Sequence, residues 1–425
     1  MNIVKLSGLT LLTAIAATGS AFTEGHFEAC TSDGWVLKSD AEFAKNCADM
    51  AFNGDLADRQ RLAWMFFARA NLQIEGGTRV DKDTGTAPLW MAWPTDPETF
   101  PKKPGVTPSF EFEEKAVDEV IKPSVPKTEL AGIISDTTEQ GAPNSGEEEV
   151  TRNQISYEYI VENTLYTTPG VQAFTQNGNP VEMPVGSIET KAKWIKLNTL
   201  ADAPAGAFVF EFFNPNAKKE ENQQGYYYWG GMHIMAKMQP SPSDVFTDNS
   251  GSWFWTTFEF KGNPGVKHVV DSFITQKSPL TAREIEAIMD TAGLLGFGYE
   301  AYAPNGTQIS FVDAEEQAVI LGHTQMEDFA GLPVGPKGNP VPPPDWTGFT
   351  ASCHTCHATA AYQPTTTGDN GSYFPFTVPI GALPTNSSGQ VDYTATQGDK
   401  TYNLGDGFVS LDFMWPITFN ARAED

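Results

Sequence analysis

The stretch SWFWTTFEF, residues 252–260, consists almost entirely of aromatic and β-branched residues, which favour β-strands. In an extended chain, alternate side chains point to opposite faces of the sheet. One face would carry Trp253, Trp255, Thr257 and Glu259, and the other mainly phenylalanines. Because both faces are mostly apolar, we expect a central strand that is covered on both sides.

Four further segments carry a similar pattern around this strand. They alternate in polarity or are dense in β-forming residues, which predicts strands. These segments are SIETKAKWIKL (187–197), GAFVFEFF (206–213), YYYWGGMHIMAKM (226–238) and GTQISFVD (306–313). The sequence therefore predicts a sheet rich in antiparallel strands.

Helical spacing of apolar residues appears at 55–72, 154–167 and 281–293. The last segment begins with Thr281 as a predicted N-cap and Glu284 as its capping-box partner. Together these segments predict an α+β fold, with one large antiparallel β-rich domain over residues 22–425, flanking helices and long loops. We detect no internal repeat.

Several stretches have the composition of loops. Residues 100–150 are rich in proline and acidic residues, which indicates a loop-like or linker-like excursion. A Pro/Gly-rich passage covers 332–344, and 363–407 is rich in Thr, Gly, Asn and Ser. We expect 363–407 to form loops.

The formal net charge of the 425-residue chain is -26. A chain with that excess of carboxylates lacks the basic surface that binds phosphate backbones, so we expect no nucleic-acid partner. No stretch near twenty consecutive apolar residues occurs, and we expect no membrane span. The redox partner or small-molecule substrate is not specified by the composition.

The N-terminal residues 1–21, MNIVKLSGLTLLTAIAATGSA, resemble a secretory signal peptide. Lys5 precedes a short apolar run, and small residues follow at the predicted cleavage site. We therefore expect a periplasmic or secreted protein with a cleaved signal peptide.

The four cysteines fall into two pairs along the chain. Cys30 and Cys47 enclose a short helical-looking segment, and in an oxidising compartment we expect them to form a disulfide. Such a bond would stabilise the fold by roughly 3 kcal/mol through the entropy of the unfolded chain. Cys353 and Cys356 remain for another role.

Residues 353–357, CHTCH, match C-x-x-C-H, the attachment site of a c-type haem. Two thiols at this spacing can add to the two vinyl groups on one edge of the porphyrin, and the imidazole that follows can bind the iron. The motif predicts one covalent haem c in the C-terminal third, with 346–425 as the haem-attachment segment. Cys353 and Cys356 would bind the porphyrin, and His357 would be the proximal iron ligand.

Other chemistries use similar residues. A zinc site is one alternative, although structural zinc sites usually separate their two ligand pairs by a dozen or more residues. A thioredoxin-like dithiol is a second alternative, but it belongs to a strand-to-helix turn that the Pro/Gly-rich approach does not predict. A second structural disulfide is the third.

The sixth iron ligand decides between electron transfer and chemistry at the iron. Met414, 57 residues after His357, is one candidate, and His233, in an apolar strand behind two glycines, is the other. Each also fits an ordinary core position. We give His354 no iron role.

The remaining ionisable residues of interest have ordinary interpretations. His26, His268 and His323 lie near polar residues and are interpreted as surface or loop histidines. Glu259 and Glu327 are interpreted as solvated acids, with a proton donor or a neighbour of the haem propionates as the alternative. His233 and Glu259 are the weak catalytic candidates.

Several blocks of the chain resemble a large exported bacterial family of cytochrome c-like proteins. The matching blocks are an LWMAWPTDPETF segment (89–100), P-x-G-S-I-E-x-K-A-x-W (184–194), G-x-H (231–233), W-x-T-F-E (255–259), G-T-Q (306–308) and S-C-x-x-C-H-A (352–358). They are scattered over most of residues 55–420. The resemblance implies a haem and makes His233, Trp255 and Glu259 candidate haem-pocket residues. The family often has His after W-x-T-F-E, where this chain has Phe260.

The sequence thus predicts an exported c-type cytochrome that binds one covalent haem and transfers electrons in the periplasm. One alternative is a haem-dependent oxidoreductase, peroxidase-like or oxygenase-like, with an open distal site. A second alternative is a secreted binding module in which C-x-x-C-H is structural.

Overall fold

The structure is a computed structural model that describes residues 29–31, 34–75, 79–81, 85–112, 132–136, 148–213, 224–263, 279–327, 351–365 and 371–423. The described strands are β1 Gln73–Glu75, β2 Arg79–Asp81, β3 Thr86–Pro88, β4 Gly132–Asp136, β5 Glu148–Arg152, β6 Ile188–Leu197, β7 Phe208–Phe213, β8 Gln224–Lys237, β9 Trp253–Phe260, β10 Tyr302–Gln308, β11 Ala361–Gln363, β12 Ser372–Tyr373, β13 Thr394–Gln397, β14 Lys400–Asn403 and β15 Val409–Ser410. The described helices are α1 Asp40–Phe52, α2 Leu56–Ala70, α3 Asp96–Thr99, α4 Gln154–Glu162, α5 Thr168–Thr175, α6 Ala282–Thr291, α7 Cys353–Ala358 and α8 Trp415–Asn420. The predicted signal peptide, His26 and His268 lie outside the described residues.

The long strand β8 organises the main sheet. Along one edge it pairs with β6, which pairs in turn with β5. Its other edge pairs first with β7 and then with β9. Strand β10 continues the sheet beyond β9, while β4 and β2 continue it beyond β7. All of these pairs are antiparallel except β4 with β7, so the predicted α+β, mainly antiparallel architecture is confirmed.

The prediction for residues 252–260 is confirmed, since every residue of β9 is buried and the strand is paired on both edges. One face packs on α2, where the ring centroids of Phe67 and Phe258 lie 4.1 Å apart. The other face carries Trp253 and Trp255 into a second hydrophobic cluster, which also contains Cys353. The sheet thus separates two cores, and the C-x-x-C-H helix lies on the second.

The predicted helices are confirmed, with shifts at their ends. The segment 55–72 forms α2, which begins with a capping box between Asp55 and Asp58. Segment 154–167 forms α4 and ends at Glu162, before a second short helix, α5. The capping box of Thr281 and Glu284 opens α6 as predicted.

The stretch 100–150 differs from the expected excursion, because it contributes two strands to the main sheet. Strand β4 pairs with β7 and β5 pairs with β6. Each strand is five residues long, so neither is visible against a background rich in proline and acids. The predicted strand at 306–313 is also displaced, because β10 begins at Tyr302 and ends at Gln308.

Cys30 and Cys47 form the predicted disulfide, and both are fully buried. The bond ties the segment before α1 to the helix itself. In the part of the chain that the structure describes, no helix is long and apolar enough to cross a membrane.

Candidate functional site

The C-x-x-C-H motif forms the short helix α7, which is anchored to the end of the sheet. Ser352 is the N-cap, and its hydroxyl accepts a hydrogen bond from the amide of Thr355 (3.3 Å). The side chain of Gln308, the last residue of β10, donates to the Ser352 hydroxyl (2.7 Å) and accepts from the amide of His354 (3.0 Å). Both the start and the orientation of α7 are therefore set by β10.

Both motif cysteines are free thiols. Cys353 Sγ donates to the carbonyl of Leu321 (3.4 Å) and Cys356 Sγ to that of Thr377 (3.2 Å). Burial raises the pKa of both thiols, that of Cys356 to about 12. Reactive dithiols have a lowered pKa, so this environment does not match the thioredoxin-like alternative.

His357 is held in one tautomer. Its Nδ1 lies 2.8 Å from the carbonyl oxygen of Phe413, and only a protonated Nδ1 can donate there. Burial lowers the pKa of the imidazole to about 4, so at neutral pH Nε2 carries a lone pair. The ring of Trp255 lies 4.6 Å from that of His357 and fixes its plane from the sheet side.

A cavity of about 410 Å³ opens in front of the motif and is lined by Cys353, Cys356 and His357. Its size lies within the range of about 300–1,000 Å³ typical of cofactor pockets. One wall is apolar and is formed by Met235, Trp255, Phe376, Val378, Trp415 and Phe419. Trp415 stacks on Phe419 with centroids 5.0 Å apart and also donates from Nε1 to the carbonyl of Cys356 (3.0 Å).

The opposite wall is ionisable and follows the cross-strand register of the sheet. Lys191 on β6 is the partner of His233 on β8, which is in turn the partner of Thr257 on β9. The His233 ring makes two hydrogen bonds, one between Nδ1 and the hydroxyl of Thr257 (2.7 Å) and one between Nε2 and the carboxylate of Glu327 (2.8 Å). Lys191 forms an ion pair with Glu148 (2.7 Å).

Glu327 is largely buried, with 12% of its side chain exposed, and it is ionised, which corrects its interpretation as a solvated acid. Burial alone would raise the pKa of this carboxyl, but the charge and hydrogen bond of His233, together with Lys191, lower it to about 2. The second carboxylate oxygen accepts from the amide of His323. The loop 321–327 thus presents an ionised carboxylate to His233 on the cavity wall.

Glu259 and His323 are buried as well, so neither is at the surface. Glu259 accepts from the side chains of Asn263 (3.0 Å) and Asn305 (2.7 Å) and from the amide and hydroxyl of Thr324. The His323 ring donates from Nε2 to the carbonyl of Gly230 (3.1 Å). Glu259 does not line the cavity, and it holds the loop that carries Glu327.

A second ionic group, missed by the sequence analysis, completes the polar wall. Arg152 is fully buried and donates from Nε to Glu189 (3.0 Å) and from its other nitrogens to Asp96 and Thr99. Burial raises the pKa of Glu189 to about 7 even though Arg152 opposes the shift. Glu189 therefore titrates near neutral pH on the cavity wall, as an acid–base group requires. The only signal for Glu189 in the sequence was its position in the S-I-E-x-K block.

Met414 lies away from the position expected of a sixth ligand. It is fully buried in the second cluster and is absent from the cavity lining. It follows Phe413, whose carbonyl accepts a hydrogen bond from Nδ1 of His357. Met414 is therefore placed as a core residue. His233 does line the cavity, but both of its ring nitrogens are already hydrogen-bonded.

His354 lies between the rings of Phe311 (5.0 Å) and Phe413 (4.7 Å) and does not line the cavity. A zinc site built from both cysteines and both histidines is therefore not assembled. Across the described ranges, no group of three or more His, Cys, Asp or Glu side chains is arranged to hold a metal ion.

The residues present fit a covalently attached haem. The two free thiols and the Nε2 lone pair of His357 lie on one cavity, as the motif requires. Phe376 and Phe419 line that cavity and remain 43% and 59% exposed, and exposed apolar patches of this kind mark binding surfaces. Haem is a flat, mainly apolar ring with charged groups at its edge. The cavity offers one aromatic wall for the ring and one ionic wall for the charged edge.

Five of the sequence blocks, 184–194, 231–233, 255–259, 306–308 and 352–358, fall on or next to β6, β8, β9, β10 and α7. Phe260, at the position of the departure, is buried against Tyr302. Comparison of the chain with known protein families, with curated protein sequences and with solved structures found no match.

Proposed function

We propose that the chain is an exported member of the cytochrome c-like proteins and carries one haem c, attached through Cys353 and Cys356 and ligated by His357. The observation that carries this proposal is the Nδ1 hydrogen bond of His357 to the Phe413 carbonyl, which leaves Nε2 as a lone-pair donor beside two free thiols. When bound, the haem would supply one-electron redox chemistry and a coordination position for a small molecule.

The polar wall supports an oxidoreductase with an open distal side rather than a simple electron carrier. His233 and Glu327 hold a proton between Nε2 and the carboxylate at 2.8 Å, and Glu189 carries a carboxyl of pKa about 7. Both groups line the cavity, so they can exchange a proton with a small molecule there. The structure supports placing His233 as an acid–base group and not as an iron ligand.

One observation favours electron transfer as the second candidate. Phe376 and Phe419 expose apolar surface at the rim beside Trp415, next to Cys356. A redox partner with an apolar face would dock there and approach the edge of the ring.

Export is proposed on the predicted signal peptide and the Cys30–Cys47 disulfide, which requires an oxidising compartment. We expect the purified protein to begin near residue 22, in the periplasmic or secreted fraction.

The first test is covalent haem in protein purified from a host that matures c-type cytochromes. We expect haem to remain attached after denaturation, and Cys353→Ser with Cys356→Ser to abolish that attachment. Wild-type protein without covalent haem would overturn the proposal and favour a structural role for the motif.

The second test separates the two classes of haem protein. We expect the reduced protein to bind carbon monoxide, and Met414→Leu to leave the visible spectrum unchanged. A spectrum that is indifferent to carbon monoxide and altered by Met414→Leu would favour electron transfer.

A further inference from the structure

Lys237 and Asp412 form an ion pair deep in the second hydrophobic cluster. Neither side chain is exposed to solvent, and Lys237 Nζ lies 2.8 Å from each oxygen of the carboxylate. The same carboxylate accepts three further hydrogen bonds, from Ser241 Oγ (2.8 Å), Trp253 Nε1 (3.1 Å) and the amide of Met183 (2.6 Å). Because desolvation largely cancels the attraction in a buried pair, stability alone does not account for it.

The pair is located where the backbone adopts an unusual conformation. Asp412 and Phe413 have φ angles of 52° and 68°, in the left-handed region that non-glycine residues rarely adopt. Such a conformation persists only where the surroundings restrain it, and it clusters at functional sites. The hydrogen bonds to Asp412, together with its amide bond to Ser410 Oγ (3.0 Å), are that restraint.

The left-handed turn directs the carbonyl of Phe413 to His357. That oxygen accepts from Nδ1 of His357 (2.8 Å) and from the amide of Trp415 (3.1 Å), which uses both of its lone pairs. A regular backbone at Asp412 and Phe413 would turn the carbonyl elsewhere. We propose that the Lys237–Asp412 pair is a positioning device, which holds this turn so that His357 keeps Nδ1 protonated and Nε2 free.

The device gives His357 two properties that a ligand needs. It fixes the tautomer, because only Nδ1–H can donate to the carbonyl. It also makes the imidazole a stronger base, since a hydrogen bond at the second ring nitrogen raises the basicity of a metal-ligating histidine. Its use for iron rests on the proposed function, whereas the selection of the tautomer does not.

The test compares wild type with Asp412→Asn and with the double variant Lys237→Met, Asp412→Asn. Asparagine keeps the shape of the side chain and tolerates the left-handed region, and the double variant removes the unpaired lysine if the single variant does not fold. The tautomer of His357 is measured by ¹⁵N NMR of the full mature chain, with the signal assigned from His357→Gln. We expect wild type to show predominantly the Nδ1–H form and the variants to show a measurably larger share of the Nε2–H form.

In haem-loaded protein the same variants should raise the midpoint potential, because a weaker imidazole donor stabilises the ferric state less. If the ratio of the ferric to the ferrous binding constant of the imidazole falls tenfold, the midpoint potential of this one-electron couple rises by about 59 mV. Glu149→Gln is the matched control, since Glu149 is also a buried carboxylate that accepts from an indole Nε1, that of Trp194 (3.0 Å). It should change neither the tautomer nor the potential.

The outcomes separate this inference from the proposed function. A folded double variant with the wild-type tautomer ratio would overturn the positioning role. Wild-type protein without haem, but with the expected tautomer change in the variants, would refute the proposed function and leave the positioning role standing.

Discussion

At the scale of single residues, the site depends on side chains that are buried and ionised together. Glu327 carries its charge beside His233 and Lys191, while the pKa of Glu189 beside Arg152 is raised to about 7. The difference arises because burial outweighs the partner for Glu189, whereas several cationic neighbours outweigh burial for Glu327. Two carboxyls on one cavity wall thus titrate in different pH ranges.

We expect Glu327→Gln to lower the free energy of unfolding by about 2 kcal/mol at pH 7, because it removes the charge partner of His233 and places an NH₂ group near a donor. The pKa of Glu327 falls from 4.5 to about 2 on folding, so its contribution is present above pH 4.5 and lost as the pH falls toward 2. Urea unfolding at pH 7, 5 and 3 measures this.

The control for that change is Glu162→Gln, which neutralises an exposed carboxylate of α4. Its stability should match wild type at pH 7. A difference between wild type and Glu327→Gln that grows as the pH falls would contradict the assignment of the charge.

At the scale of elements, the pairing of β8 with β9 determines how closely the loop 321–327 can approach the sheet. Gly231 has a φ of 135°, and a Cβ there would lie 2.2 Å from the carbonyl oxygen of Phe258 and 2.6 Å from His323 Nε2. Only glycine leaves room for the buried imidazole.

Gly231→Ala should therefore destabilise the fold by about 3 kcal/mol or more, since backbone and a buried ring must both shift. Thermal or urea unfolding measures the effect. Gly389→Ala is the matched control, because Gly389 also has a positive φ (81°) but open space around its Cβ position. It should cost about 1 kcal/mol, and equal losses for the two variants would refute the close-approach argument.

The anchoring of α7 gives a second prediction at this scale. Gln308→Leu removes the hydrogen bonds to Ser352 and to the His354 amide and leaves that amide unpaired in the core. We expect a loss of about 2–3 kcal/mol and a lower yield of covalent haem. Gln154→Leu, an exposed position at the start of α4, should change neither quantity.

At the scale of the whole molecule, the main sheet separates two hydrophobic cores. The first is formed by α2 against Phe254 and Phe258 and contains the Cys30–Cys47 disulfide, while the second surrounds α7. The cysteines are divided in the same way, one pair bonded and one pair free. The disulfide therefore stabilises the core remote from the cavity.

Replacing Cys30 and Cys47 together by serine should lower the free energy of unfolding by about 3 kcal/mol. Denatured, unreduced wild type should react with a thiol reagent at two cysteines when no haem is attached and at none when it is. Reaction at Cys30 or Cys47 would contradict the disulfide.

Short-range patterns determined much of this protein from sequence alone. Strand β9 was recognisable because its alternation lies within nine residues. The α6 capping box was recognisable because its partners are three residues apart. The C-x-x-C-H motif was recognisable because its chemistry depends on the spacing of its own five residues. Each of these signals is local, so the chain carries it regardless of how the rest folds.

Only the tertiary structure decided how the cavity is assembled. His233 meets Glu327 across 94 positions of sequence and Lys237 meets Asp412 across 175. Such contacts depend on strand register and loop packing, which leave no periodic trace in the chain, so Glu327 and His323 resembled surface residues in the sequence. Met414 lies in the second core and off the cavity lining, although its spacing from His357 made it a candidate ligand.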